Sequence, residues 1–326
     1  MVEVSVIIPA YNAGRHISKT LQSLKAQTFE DIEVVVVNDG STDNTVEVVE
    51  KALSDAPFPW KVVSQENMGA SAARNRGLKM AKGKYVLFLD SDDYIHKMFI
   101  ERMYHTAIKE NYQAVFSNVV WVNSEDNRII RNSNNRCHSS ASSGRDVLKL
   151  MLQREFTIVV DNGIYEKSFL IKNSIKFNSK RKQFYGDVLE FVFRVLYKAQ
   201  RVGCVPDVFV ACSIRDNSVS STLDKTHLIL HFNNLVESYH EIQNHMINSD
   251  KEMSKLLTQY IGYRLLVILF KLYAIGETDA SNKLKTKNIF LLKQAPTRNI
   301  RDFVIKFLVL YWPGLCRLAL ILHSKT

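Results

Sequence analysis

Near the start of the chain, apolar residues fall in short unbroken runs separated by amphipathic stretches, the pattern of strands alternating with helices. VEVSVII, IEVVVV (Ile32 to Val37), WKVVSQ and YVLFLD (Tyr85 to Asp90) are strand-length runs rich in β-branched residues, and they predict buried strands. Between them, Ile17, Leu21 and Leu24 recur at helical spacing, as do Val46, Val49 and Leu53. Ser41, Thr42 and Asp43 offer cap oxygens to the second of these helices. Ala70 to Lys82 suits a third, with Gly83 at its end. This alternation predicts an α/β fold with a mainly parallel sheet and helices on both faces. Ligands of such sheets bind beyond the carboxyl ends of the strands, where Tyr11, Asp39 and Asp90 with its neighbours stand.

Further on the pattern loosens. AVFSNVVWV (Ala114 to Val122) predicts a strand, and the polar stretch from Asn123 to Ser143 a mobile loop or a hairpin with a long tip. Helices are expected at Val147 to Leu152, Lys167 to Lys172 and Asp187 to Lys198, and a strand at Val202 to Cys212. From His227 the pattern is helical. This divides the chain into a catalytic domain, 1–225, and a helical C-terminal region, 226–326.

Composition refines this picture in two ways. The 326 residues are 46% hydrophobic with 12 Gly and 6 Pro, which excludes fibrous and disordered classes. The net charge of +10 is unevenly spread: from Lys283 to Thr326 nine Lys and Arg face one acid, Asp302, a local excess of +8. A nucleic-acid partner is not expected, since the basic residues do not gather on a folded recognition element. Cys137, Cys204, Cys212 and Cys316 have no metal-like spacing, and no leader opens the chain, so reduced thiols in a cytoplasmic protein are expected.

The acidic run Asp90-Ser91-Asp92-Asp93 closes a strand. Two acids one residue apart suit a hard cation, Mg²⁺ or Mn²⁺, which would neutralise the diphosphate of a nucleotide donor. The same run also reads as a solvated turn, or as a cap for the helix MFIERMYHTAIK. Asp39 ends a second strand, where an acid meets a ribose hydroxyl or a base N–H, or merely forms an Asp-Gly turn. Arg74 lies in ENMGASAARNRG, where small side chains permit close approach of a diphosphate; a surface arginine is the plainer reading.

Taken in order, VSVIIPAYN, VVVVNDGSTDNT, NMGASAARNRGL and YVLFLDSDD strongly resemble glycosyltransferase family 2, with the Rossmann-like GT-A fold. The resemblance implies an inverting transferase that moves a sugar from a nucleotide-diphosphate donor, commonly a UDP-sugar, to an acceptor hydroxyl. It implies that Pro9, Ala10, Tyr11 and Asp39 hold the nucleoside, with Arg74 near the base or phosphates and Asp90 on the ribose or diphosphate. Asp92 becomes the metal ligand and Asp93 its helper. Further along, QFYGDVLEFVFRVLYKAQRV departs from the family's Glu-Asp pair: Gly186 replaces the first acid, Asp187 matches the usual base, and Glu190 is the fallback. CSIRDNSVSS is similar to the loop that closes over the donor, placing Arg215 at the pyrophosphate.

The C-terminal run FVIKFLVLYWPGLCRLALIL (Phe303 to Leu322) is long enough to span a bilayer, but Lys306 and Arg317 lie inside it, with Pro313-Gly314 between them. Eleven residues apart, the two charges fall on one helix face, so a kinked helix lying on an anionic membrane surface is expected. Helices packed on the catalytic domain are the alternative. LLTQYIGYRLLVILFKLYAI (Leu256 to Ile275) is the expected partner of this tail. A bacterial-type basic tail points to a lipid-linked oligosaccharide acceptor, in capsule, exopolysaccharide or O-antigen synthesis, and to the inner face of the cell membrane. Neither a Gly-rich phosphate loop nor GxGxxG follows the first strand, which argues against nucleotidyltransferases and dinucleotide oxidoreductases. A binding or scaffold protein without activity remains the second reading, because of Gly186.

Overall fold

The computed structural model describes residues 2–133, 142–180, 186–214, 224–247, 249–317 and 319. They form two compact units: Met1–Met151 with Glu155–Arg215, and Leu152–Arg154 with Asp216–Thr326.

In the first unit, β1 (Val4–Ala10), β2 (Ile32–Asn38), β3 (Trp60–Ser64) and β4 (Tyr85–Phe88) pair in parallel in the order β3-β2-β1-β4. All residues of β1 and β2 are buried. Alternate side chains serve opposite faces of the sheet. Val34 and Val36 join Ile17, Leu21 and Val49 in one apolar cluster, whereas Val35 and Val37 meet Ala73 in another. Helices α1 (Ile17–Lys25), α2 (Thr45–Leu53) and α3 (Ala70–Met80) connect these strands. The alternation expected for this half is present.

The rest of the sheet keeps this direction in its long strands but inserts one strand that runs the other way, which no local pattern announces. After α4 (Phe99–Lys109), β6 (Ala114–Asn123) is separated from β4 by β8 (Gly163–Glu166), antiparallel to both. On its other side β6 runs parallel to β9 (Val202–Ile214), and the two-residue β5 (Tyr94–Ile95) pairs antiparallel with β9 at the edge. The polar stretch after β6 turns back as β7 (Ile129–Asn132), so its first part is a hairpin; residues 134–141 lie outside the described residues. Helices α5 (Gly144–Leu152), α6 (Lys167–Lys172) and α7 (Asp187–Lys198) fall where expected.

Small residues set how closely α3 approaches the sheet. A Cβ on Gly77 would stand 2.2 Å from Ile7 Cγ2 of β1, and that β-branched side chain has little freedom to yield. We expect Gly77→Ala to destabilise the protein by about 1–3 kcal/mol, as overpacked core substitutions do, measured by urea unfolding. An unchanged midpoint would contradict so tight a seating.

The second unit is helical: α8 (Lys225–His245), α9 (Lys251–Ala274), α10 (Thr278–Lys287), α11 (Ile289–Gln294) and α12 (Ile300–Tyr311), followed by a 3-10 turn, Pro313–Leu315. Asp224, Asp250 and Asn299 cap α8, α9 and α12 by accepting from the N–H groups of His227, Met253 and Asp302. Helix α9 is the centre against which α8, α10, α11 and α12 pack. It is the one described helix long and apolar enough to cross a membrane, yet 56% of its most apolar window is buried in protein. As expected, it is the apolar partner of the C-terminal segment. Arg154 ties its own short segment to this unit, donating to buried Asp302 at 2.9 Å and lying over the Tyr263 ring.

Two expectations are corrected. Lys306 and Arg317 do not share one helix, because α12 ends at Tyr311 and the chain breaks at Trp312 and Pro313. Lys306 instead turns inward and donates to the carbonyls of Lys293 and Ala295, left unpaired at the end of α11. Nor are the thiols all reduced: Cys204 is disulfide-bonded, while Cys212 and Cys316 are free and buried.

Candidate functional site

The loops that leave β1 and β2 are stitched together. Asn12, in the left-handed region at φ 48°, accepts the Thr42 N–H at 2.9 Å, and its own N–H donates to Ser41 Oγ at 3.0 Å. Asp43 accepts from the Gly14 N–H at 3.0 Å and from the N–H and hydroxyl of Thr45, in the first turn of α2. Its predicted capping role is thus shared with the neighbouring loop. Beside this stitch the Tyr11 ring is 53% exposed at the strand ends, open to stack on a planar ligand. Pro9 and Ala10 are buried within β1, and the Ala10 carbonyl takes the Asp39 N–H at 2.8 Å.

Asp39 is also buried, and its carboxylate organises the approach to α3. It accepts from Gln65 Nε2 at 2.7 Å, the Met68 N–H at 2.9 Å and the Gly69 N–H at 2.7 Å. Gly69 stands at φ 90°, a conformation that favours glycine, so this turn and the start of α3 are fixed together. A carboxylate has about four acceptor directions, so Asp39 retains capacity for one more donor.

Ser71 and Arg74, three apart on α3, face the same way. Arg74 is 5% exposed and reaches two acids from distant parts of the chain. It donates to Asp90 at 2.6 Å and lies 3.4 Å from Asp187. Ser71 donates its hydroxyl to the same Asp187 oxygen. Asp187 opens α7, where the helix dipole favours a negative charge, and it accepts the Val188 N–H at 2.8 Å. Burial opposes the charge on Arg74, but Asp90 and Asp187 outweigh it and raise its pKa. For Asp187 burial dominates: its pKa is raised, with Arg74, Ser71 and the Val188 N–H working in the other direction.

A further acid, not anticipated from sequence, completes the cluster. Asp161 is buried just before β8 and accepts the Asp90 N–H at 2.7 Å. Its only sequence signal is an acid within the apolar run IVVDNGIY. Asp93 turns inward, accepts the Ser213 N–H at 2.9 Å, and lies beside Asp161 and Cys212, with the ligand atoms of the three within 4.8 Å of one another. Burial raises the pKa of both acids; the charges of Asp92 and Asp90 add to this at Asp93, and those of Asp90 and Asp93 at Asp161. Asp92 stays half-buried, on the rim.

Three predicted residues, Arg74, Asp90 and Asp187, therefore meet directly, with Asp92 and Asp93 in the adjoining turn. Glu190 does not join them: it is buried one turn along α7, accepts from Asn178 at 3.2 Å and faces Arg194 at 3.9 Å. Arg215 lies outside the described residues. As for a metal, Asp90, Asp161 and Asp187 act on one buried guanidinium, that of Arg74, and Asp93 adds a further acid beside Asp161, an excess of negative charge that burial disfavours. The carboxylate oxygens fit a hard divalent cation, whereas the Cys212 sulfur beside Asp93 and Asp161 does not.

A cluster of acids beyond the strand ends of a mainly parallel sheet is the arrangement of the nucleotide-sugar transferases with the GT-A fold. Residues 5–173 match Glycosyl transferase family 2, and the chain belongs to that family. It is 36% identical over 178 residues to an uncharacterized glycosyltransferase of Escherichia coli, YibD, covering 54% of this chain and 52% of that one. The chain thus spans about half the length of this relative. A poly(ribitol-phosphate) β-N-acetylglucosaminyltransferase of Staphylococcus aureus, TarP, is 26% identical over 282 residues, covering 82% of this chain and 80% of its own. In fold, the chain is similar to a fragment of S. aureus TarS solved with UDP-GlcNAc, at TM-score 0.68 and 22% identity, covering 99% and 91% of the two chains. A mannosyltransferase of Pyrobaculum calidifontis, solved with GDP-Man and Mn²⁺, superposes at TM-score 0.56 and 17% identity, covering 99% and 88%.

Proposed function

We propose that the chain is an inverting glycosyltransferase that moves a sugar from a UDP-sugar to an acceptor hydroxyl, with residues 1–225 as its catalytic domain. The observation that supports this reading is the junction of Arg74 with Asp90 and Asp187, a buried guanidinium between a half-buried carboxylate and a buried one. The nucleoside lies along Pro9, Ala10 and Tyr11, beside the turn that Asp39 holds. Arg74 contributes positive charge at the diphosphate, with Arg215 as a second cation at the pyrophosphate. Asp187 accepts the acceptor's proton as its oxygen attacks the anomeric carbon, and a single in-line displacement inverts that centre. Asp92, with Asp93 and Asp90 adjoining, would hold Mn²⁺ or Mg²⁺, which when bound neutralises charge on the departing nucleoside diphosphate. The acceptor is a lipid-linked oligosaccharide of capsule, exopolysaccharide or O-antigen synthesis. The protein works in the cytoplasm, held peripherally at the inner face of the membrane by its C-terminal helices.

Support for UDP comes from the TarS complex, and support for a metal from the Mn²⁺ complex, each as a property of that neighbour. The test is a melting-temperature panel of nucleotide sugars with and without Mn²⁺, since a ligand of the native state raises the midpoint. UDP-sugars should raise it, and more so with metal. We expect Asp92→Ala to lose transfer by at least a hundredfold while melting near the parent temperature, because a half-buried rim acid contributes little packing. Equal activity in EDTA and in Mn²⁺ would remove the metal from the reading. Donor binding with neither transfer nor hydrolysis would favour the second reading, an inactive binding protein, for which the replacement of an acid by Gly186 speaks.

A further inference from the structure

The outward face of α12 is apolar although its inward face already is. Ile305, Leu308 and Val309 are buried against the second unit, as the core-facing residues of a surface helix should be. The opposite face carries Ile300 at 83% exposure, Phe303 at 58% and Tyr311 at 66%, with Val304 and Phe307 between them. At about 100° per residue these five positions fall within a ~100° arc. Phe307 stacks on Phe303 with ring centroids 6.0 Å apart, and lies 5.6 Å from Tyr311 and 5.7 Å from Trp312, itself 59% exposed. Scattered apolar residues on a surface need no explanation, but a contiguous aromatic ridge does.

Among the described residues, the exposed charges that neighbour the ridge along the chain are of one sign. Lys306, which the run of sequence places within it, is drawn inward to the end of α11. Asp302, the only acid between Lys283 and Thr326, is buried against Arg154. The exposed charged residues near it in the chain are Lys293, Arg298, Arg301 and Arg317. We propose that this ridge is the membrane-insertion surface: Phe303, Phe307 and Trp312 enter the interface of an anionic bilayer while the flanking Lys and Arg contact phospholipid headgroups. This rests on the membrane-associated reading above and assigns it to one helix face. An apolar stripe bordered by basic residues, with Tyr and Trp at its end, is what an interfacial helix requires. Self-pairing across a two-fold axis would instead set this basic border against itself.

The test uses the full chain and vesicles of phosphatidylcholine with or without phosphatidylglycerol. The protein should float with the anionic vesicles and not with the neutral ones. Raised salt should weaken flotation without abolishing it, because screening leaves the apolar contact intact. Brominated lipid should quench tryptophan emission, and Trp312→Phe should remove that quenching. Phe303→Ser with Phe307→Ser and Trp312→Ser should lower vesicle partitioning at least tenfold, with melting temperature and UDP binding unchanged because all three side chains are exposed. If this variant floats as well as the parent, the membrane reading stands and the ridge is refuted. If the parent stays in the supernatant at low salt, both fail. Self-association of the parent that the variant abolishes, seen by sedimentation velocity, would assign the ridge to a second copy of the chain and overturn the proposal.

Discussion

Asp187→Asn is expected to reduce kcat by about 10²–10⁴-fold, the usual contribution of a positioned general base, while the KM for the donor changes little. The substitution keeps the shape of the side chain and its contact with Ser71, and in the proposed mechanism the carboxylate acts on the acceptor's proton and not on the donor. Single-turnover rates with saturating donor measure the chemical step directly. The pH profile gives a second readout. A base works only when deprotonated, and burial raises the Asp187 pKa, so the acid limb of kcat should lie above the ordinary aspartate range near 4. Activity is then full above that raised pKa and falls as pH drops through it, and the Asn variant should lack this limb. The pair Glu190→Gln discriminates further. Glu190 is committed to Asn178 and Arg194, so its loss should affect stability more than chemistry. An active Asp187→Asn beside an inactive Glu190→Gln would make Glu190 the base.

The sequence makes the first four strands of the sheet legible because each element there is built from contiguous residues with its own period. β1, β2 and β3 and the helices between them need only local rules, and the acids after Phe88 inherit their place at the strand ends from that alternation. The order β4-β8-β6-β9 depends on pairings between residues far apart in the chain, and nothing in an isolated run such as GIYE states that it will separate two other strands. The same distinction holds within the site. Asp39 announces itself as an acid at a strand end, but its actual partners, Met68 and Gly69, are set by a glycine turn about thirty residues later. Asp161 carries no motif, and only the fold brings it to the Asp90 N–H. Lys306 shows how a charge in an apolar run can mislead. Its position implied a cation on a lipid-facing surface, whereas the open carbonyls at the end of α11 draw it inward.

Arg74→Met is the substitution expected to cost the fold most. It removes the cation that donates to Asp90 and lies against Asp187, while keeping much of the buried volume. Breaking a buried pair by removing one partner costs about 3–5 kcal/mol; because Asp90 is a third exposed, the lower end applies, about 3 kcal/mol. For a unit of this size that is a fall in Tm of roughly 6–12 °C. The sign with pH follows from Asp187. Arg74 holds that pKa down against burial, so without it the folded-state pKa rises further above the unfolded value. A carboxyl so raised destabilises the fold above its folded pKa and ceases to do so once protonated. The stability gap between Arg74→Met and the parent should therefore be widest near neutral pH and narrow as pH falls. Adding Asp187→Asn to Arg74→Met removes the stranded charge, so the double variant should melt above the Arg74→Met single variant, a non-additivity that a double-mutant cycle reads. On the proposed mechanism, transfer activity should be lost in both, through the loss of the cation assigned to the diphosphate and, in the double variant, of the assigned base as well. A gap that is constant with pH, or a cycle with no coupling, would mean that Arg74 and Asp187 do not interact as the 3.4 Å contact implies.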